Sequence, residues 1–91
     1  MARAQRLDEL DHVLTGLRAI RELDEVKPGV FYVKRRAFLH FHESARARHA
    51  DVRDGADWGD PIELPPGPVS KARSETFVRE VRRRLAHTLS A

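Results

Sequence analysis

Hydrophobic residues near the start of the chain recur at intervals of three and four. They are Leu7, Leu10, Leu14, Leu17 and Ile20, and Val13 widens the stripe. This is the period of an amphipathic helix with one buried face. We expect the helix to end near Asp24, because Pro28 and Gly29 cannot continue it. Gly16 lies inside the pattern and indicates either a break or a place where the helix packs closely on a sheet.

Short β-branched and aromatic runs follow the helix. They predict a strand at residues 30–33, a second at 37–43, a third at 49–53 and a short edge strand at 62–64. The first two flank the basic triplet Lys34, Arg35 and Arg36. This triplet lacks the Gly or Asn that a two-residue hairpin turn prefers, so we expect a longer or bulged turn.

A second amphipathic stripe closes the chain, after the proline-rich residues 65–68 have ended the strand region. Its hydrophobic positions are Phe77, Val78, Val81, Leu85 and Leu89. Ser70 or Ser74 can cap this helix.

Together these elements predict an α+β fold, in which both helices cover one face of a three- or four-stranded antiparallel sheet in a two-layer α-β-β-β-α order. Residues 1–91 are expected to form a single domain. The predicted core consists of Leu10, Leu14, Leu17, Phe31, Val33, Leu39, Phe41, Val52, Ile62, Val78, Val81 and Leu85. The opposite face of the sheet is left open to solvent or to a partner.

Composition narrows the classes of function. The chain has no cysteine, which excludes disulfides, thiolate metal sites and a cysteine nucleophile. No apolar run approaches the roughly 18–20 residues that span a membrane. Carboxylates soon after the N-terminus are unlike a signal peptide, so we expect a cytoplasmic protein without a membrane partner.

Histidines alternate along the second and third predicted strands. If Leu39 and Phe41 face the core, Phe38 and two histidines share the outer face. The antiparallel neighbour then adds a third histidine and an aspartate to that face, giving the predicted metal site His40, His42, His49 and Asp51. Imidazole and carboxylate suit zinc or iron. The alternatives are an ordinary polar face and a register slip, which would move every side chain to the other side.

Positive charge collects at the C-terminal end. Residues 70–91 carry six Lys or Arg and two Glu, within an overall net charge of +3. An acidic partner, either protein or nucleic acid, is therefore predicted to contact Lys34, Arg35, Arg36, Arg79, Arg82 and Arg83. The alternative is that i to i+4 pairs such as Glu75 with Arg79 and Glu80 with Arg84 account for these arginines.

Residues 30–53 contain an aromatic strand, a basic turn, the strand Phe-Leu-His-Phe-His-Glu and the strand Ala-Asp-Val-Arg. In this combination they resemble a group of small bacterial α/β proteins without an established activity. The resemblance covers about a quarter of the chain. It implies the hairpin, with His40, His42, Asp51 and Arg53 as matching positions, and no reaction.

The sequence therefore predicts a small domain that acts by binding an acidic partner. One alternative is a metal-binding or metal-dependent hydrolytic site on the histidine hairpin, with zinc as the cofactor, and another is a homodimer. No catalytic residue is assigned. Trp58 is expected to cover an edge of the core.

Overall fold

The computed structural model describes residues 7–91, so the first six residues of the predicted 1–91 domain lie outside the described residues. A 3-10 turn, Leu7–Leu10, leads into helix α1, Asp11–Arg18. Six strands follow: β1 (Asp24–Lys27), β2 (Val30–Val33), β3 (Arg36–Glu43), β4 (Arg48–Asp54), β5 (Asp57–Trp58) and β6 (Ile62–Glu63). Helix α2, Lys71–Ser90, is the last element. The predicted α+β class and the order of helix, antiparallel sheet and helix are confirmed.

The sheet has more strands than the three or four predicted. Its order is β1-β2-β3-β4-β5, and β6 also pairs with β4. The first helix ends at Arg18 rather than near Asp24. Strand β1 begins at Asp24 and occupies a segment for which no strand is predicted. Its one large hydrophobic residue, Val26, is 53% exposed. An edge strand without a buried face leaves no alternating pattern in the sequence, and this is why the strand was not predicted.

The turn between β2 and β3 differs from the expectation of a longer connection. Val33 pairs with Arg36, so Lys34 and Arg35 alone form a two-residue turn. Both have positive φ angles, 50° and 68°, as a type I′ hairpin turn requires. The basic residues adopt the backbone conformation that Asn and Gly adopt more readily.

A bulge lies further along the same pair of strands. Phe31 pairs with Leu39 whereas Tyr32 pairs with Ala37, which leaves Phe38 as the extra residue of β3. A bulge interrupts strict alternation between faces. Phe38 and Leu39 are consequently both buried, and the expectation that Phe38 points to the outer face is wrong.

The core is one cluster formed by both helices and the inner face of the sheet. All the predicted core residues are buried except Ile62 and Val78, which are partly buried and pack against it. Further buried residues are Val13, Ile20, Leu23, Phe38, Ala50, Leu64, Val69 and Phe77.

Helix α2 packs against α1 and against β4. It begins at Ser70, whose hydroxyl accepts a hydrogen bond from the backbone amide of Arg73 at 3.1 Å, one of the two predicted caps. Gly16 lies at the contact with α1, where an added Cβ would be 2.7 Å from Val78 Cγ2. The glycine thus permits a close approach to α2 rather than to the sheet. Neither helix in residues 7–91 is long and apolar enough to cross a membrane.

Candidate functional site

The pairing of β3 with β4 determines which side chains share the outer face of the sheet. His40 lies opposite Asp51 and His42 lies opposite His49. The intervening residues of both strands, Leu39, Phe41, Ala50 and Val52, are buried in the core. Since side chains alternate along a strand, the four polar residues project from the other face. We call His40, His42, His49 and Asp51 the histidine cluster; the structure brings all four together.

The Asp51 carboxylate lies among the three imidazoles. Its Oδ2 is 2.9 Å from His42 Nε2 and 3.9 Å from His40 Nδ1. Its Oδ1 is 3.6 Å from His49 Nε2. Donor atoms of His40, His42 and Asp51 all lie within 4.8 Å of one another. The cluster is therefore a compact set of nitrogen and oxygen ligands, and part of its surface is open to solvent.

The imidazole rings also contact one another. The His40 and His42 ring centroids are 4.7 Å apart with the rings nearly perpendicular, at 80°. The rings of His42 and His49 are stacked, with centroids 5.0 Å apart and an interplanar angle of 25°. These contacts limit the rotamers open to each ring, so the cluster is partly organised before any ligand binds.

Trp58 lies beside the cluster rather than at an edge of the core. Strand β5 pairs Trp58 with Arg53, and the tryptophan side chain is 41% exposed. The Trp58 ring centroid is 5.0 Å from that of His40. The indole also contacts Arg53, whose Cζ lies 4.5 Å from the indole centroid. Arg53 Nε donates to the carbonyl of Ala37 at 2.6 Å, which fixes the guanidinium against the sheet.

The electrostatic environment favours neutral His40. Partial burial is the main factor that lowers the pKa of His40 below its ordinary value of 6.5, and the neighbouring His42 lowers it further. The negative charge of Asp51 acts in the opposite direction. Neutral imidazole is the form that binds metal ions, so the site disfavours the proton that a metal would have to displace.

The six basic residues predicted to contact an acidic partner are divided among different environments. Lys34 and Arg36 line a cavity together with Thr88 and Leu89 near the end of α2. Arg79 and Arg82 line a separate groove between α1 and α2. Arg83 donates hydrogen bonds to Glu80 at 2.8 Å and to Asp54 at 3.1 Å, so its charge is already paired. Arg35 is exposed at the turn.

Two buried arginines were not singled out by sequence reasoning. Arg48 contacts Glu9, and Arg84 donates to the carbonyls of Val52 at 3.2 Å and Asp60 at 2.9 Å. The residues next to these two arginines in the sequence do not distinguish them from exposed arginines. The position of Trp58 did not follow from the sequence either: Asp54-Gly55 as a two-residue turn would pair Arg53 with Ala56, whereas the turn consists of Gly55 and Ala56 and pairs Arg53 with Trp58.

Comparisons with protein-family models, with curated proteins and with solved structures found no match for this chain.

Proposed function

We propose that the histidine cluster binds a divalent transition metal ion, and that zinc is the ion its donors suit best. The observation that carries the proposal is the convergence of His40, His42 and Asp51 donor atoms within 4.8 Å of one another. Two imidazoles and one carboxylate are a common protein ligand set for zinc. The same donor set also accommodates iron.

The spacing of the donor atoms supports this proposal. Zinc ligands lie at roughly 2.0–2.2 Å, so neighbouring donor atoms around a tetrahedral ion are about 3.4 Å apart. The contacts of Asp51 Oδ2 with His42 and His40, at 2.9 Å and 3.9 Å, lie on either side of that value. Changes of about half an ångström, within reach of small rotamer adjustments, would bring both to the required spacing.

A local hydrogen bond explains only part of the arrangement. The 2.9 Å contact accounts for His42, whereas the contacts of His40 and His49 with Asp51, at 3.9 Å and 3.6 Å, exceed hydrogen-bond distance. A metal ion bound by Asp51 would also give the His40 nitrogen a partner. The two long contacts of Asp51 favour a bound ligand over a merely polar surface.

The number of protein ligands bears on what the site does with its metal. Three ligands leave a position open for water or substrate, as in hydrolytic zinc sites, whereas four protein ligands form a closed structural site. His49 is the residue on which this difference depends, since it stacks on His42 but is not one of the three converging donors. We therefore expect His49→Ala to weaken zinc binding much less than His42→Ala.

The fluorescence of Trp58 can report whether zinc binds to the histidine cluster. Trp58 is the only tryptophan in the chain and contacts His40, so metal binding should change its fluorescence. Titration of metal-free protein with zinc, followed by fluorescence and calorimetry, should show one site per chain. His42→Ala and Asp51→Asn should weaken binding by at least about tenfold. His12→Ala, an exposed histidine on α1, is the matched control and should bind as the native chain does.

The pH dependence gives a second readout. Because protons compete for the imidazoles, zinc affinity should fall as the pH is lowered, and protonation of His40, whose pKa is lowered by partial burial, should contribute only below its ordinary value of 6.5. Absence of a saturable fluorescence change at micromolar zinc, or equal loss of affinity in the His12 and His42 variants, would show that the cluster is a polar surface and not a metal site.

A further inference from the structure

A groove of about 420 Å³ runs between α1 and α2, and it is separate from the histidine cluster. Its lining on α2 consists of Lys71, Ser74, Glu75, Val78, Arg79 and Arg82. Successive positions are spaced by three residues or one, which places them along one face of the helix. The volume falls within the roughly 300–1,000 Å³ of ordinary ligand-binding clefts.

The floor of the groove is apolar and follows from the helix contact. Gly16 of α1 has no side chain, and Val78 of α2 packs directly against it. Val78 is only partly buried, so part of its surface remains available at the bottom of the groove. An occupant can therefore bury apolar surface there as well as form ionic contacts.

The cations around the groove have no side-chain partner among the described residues. Within residues 7–91, Lys71, Arg79 and Arg82 are exposed and make no side-chain hydrogen bond or ion pair with the rest of the described chain. The i to i+4 pair predicted between Glu75 and Arg79 is also not among the ion pairs formed. The adjacent arginines behave differently, since Arg83 and Arg84 are both paired with Glu80.

We propose that this groove binds an acidic amphipathic helical segment of a partner protein. Lys71 and Arg82 are eleven residues apart, which corresponds to about 16 Å along a helix or roughly three turns. A small anion cannot contact cations at both ends, whereas a helix of three turns can. Glu75 and Val78 lie between those ends, so the segment needs carboxylates at its ends and apolar residues at its centre.

The lining favours a peptide over nucleic acid. Single-stranded nucleic acid is held by aromatic side chains on which bases stack, and among the described residues that line the groove there is no Phe, Tyr or Trp and only one ring, that of His12. Trp58 lies on the outer face of the sheet instead. Glu75 would also repel a continuous row of phosphates.

The test uses a displayed library of twelve-residue peptides with apolar residues at helical spacing and Asp or Glu at the flanking positions. Peptides selected on the full chain are measured by fluorescence polarisation and mapped by amide chemical shifts. Arg79→Glu combined with Arg82→Glu should weaken binding by about tenfold or more. Arg46→Glu with Arg73→Glu makes the same charge change at exposed positions outside the groove, and should alter affinity by less than about twofold.

Shifts centred on Gly16 and Val78, together with the groove-specific loss of affinity, would support the proposal. Equal weakening by the two double variants would overturn it, because binding would then depend on net charge alone. Failure to enrich any peptide would also overturn it. So would groove-dependent binding of a single-stranded oligonucleotide in place of peptides, or self-association of the native chain that Arg79→Glu with Arg82→Glu abolishes.

Discussion

Arg48 joins three segments of the chain through one buried guanidinium group. It is the first residue of β4 and is 2% exposed. Its Nη1 donates to Glu9 at 2.9 Å, and its Nη2 donates to the carbonyls of Pro65 and Gly67 at 2.6 Å and 2.7 Å. Arg48 thereby fastens the 3-10 turn and the proline-rich connector to the sheet. A buried arginine is tolerated here because these three oxygens satisfy most of its donors.

Arg48→Met should destabilise the protein although it preserves much of the side-chain volume. The two carbonyls and the Glu9 carboxylate lose their charged donor, and removing one partner from a buried pair is strongly unfavourable. We expect the free energy of unfolding to fall by about 2–4 kcal/mol, measured by urea denaturation. Arg46→Met, at an exposed position two residues earlier, should change it by less than about 0.5 kcal/mol. Equal effects of the two substitutions would contradict the role given to Arg48.

The β2–β3 hairpin shows a conflict between local preference and the element it belongs to. Lys34 and Arg35 adopt positive φ angles, which L-residues other than Gly and Asn disfavour. The strands impose this geometry, because a type I′ turn follows their right-handed twist. Pairing of the flanking strands within the core therefore outweighs the preference of the two turn residues.

Lys34→Asn combined with Arg35→Gly should stabilise the hairpin. Both new residues favour the positive φ angles already present, so strain in the folded chain decreases. We expect about 1–2 kcal/mol of added stability in chemical denaturation. Arg36→Asn removes a charge at the next position, which lies outside the positive-φ pair, and should give no such gain. A double variant no more stable than the native chain would show that the turn carries little strain.

At the scale of the whole molecule, two carboxylates, Asp54 and Glu25, link different elements, and a third, Glu80, pairs with two arginines of its own helix. Asp54 of β4 accepts hydrogen bonds from His87 and Arg83 of α2, and these lower its pKa. Hydrogen bonds from Arg83 and Arg84 lower the pKa of Glu80 from 4.5 to about 2. The Arg18 guanidinium likewise lowers the pKa of Glu25, next to α1. The contact of α2 with the sheet is therefore stabilised by the ionised Asp54 carboxylate.

Stability should consequently decrease in acid. A group whose pKa is lower in the folded chain stabilises it fully above the unfolded pKa, and that contribution is lost as the pH falls to the folded pKa. For Glu80 the window extends from 4.5 to about 2. Thermal unfolding between pH 6 and pH 2 should show the midpoint falling across this window. Glu80→Gln should flatten the decline, and Glu75→Gln, on the same helix, should not; identical profiles would refute the assignment.

The sequence by itself determined the parts of this protein that repeat with a period. The three- and four-residue spacing identified both helices, although not the early end of α1. The two-residue alternation of β3 and β4 identified which side chains share the outer face, and the apolar set Leu39, Phe41 and Val52 fixed their register. His40, His42, His49 and Asp51 could therefore be predicted to lie together, because a one-residue slip would turn the hydrophobic set out to solvent.

Only the tertiary structure decided the features that leave no periodic pattern in the sequence. The bulge that buries Phe38, the exposed edge strand β1 and the burial of Arg48 and Arg84 all depend on segments distant in the chain. The same holds for the donor distances in the histidine cluster and for the division of the arginines into paired and unpaired ones. A side chain's partners across the fold, rather than its neighbours in sequence, set its burial and its charge environment, and these quantities decide whether a set of polar residues is a site or a surface.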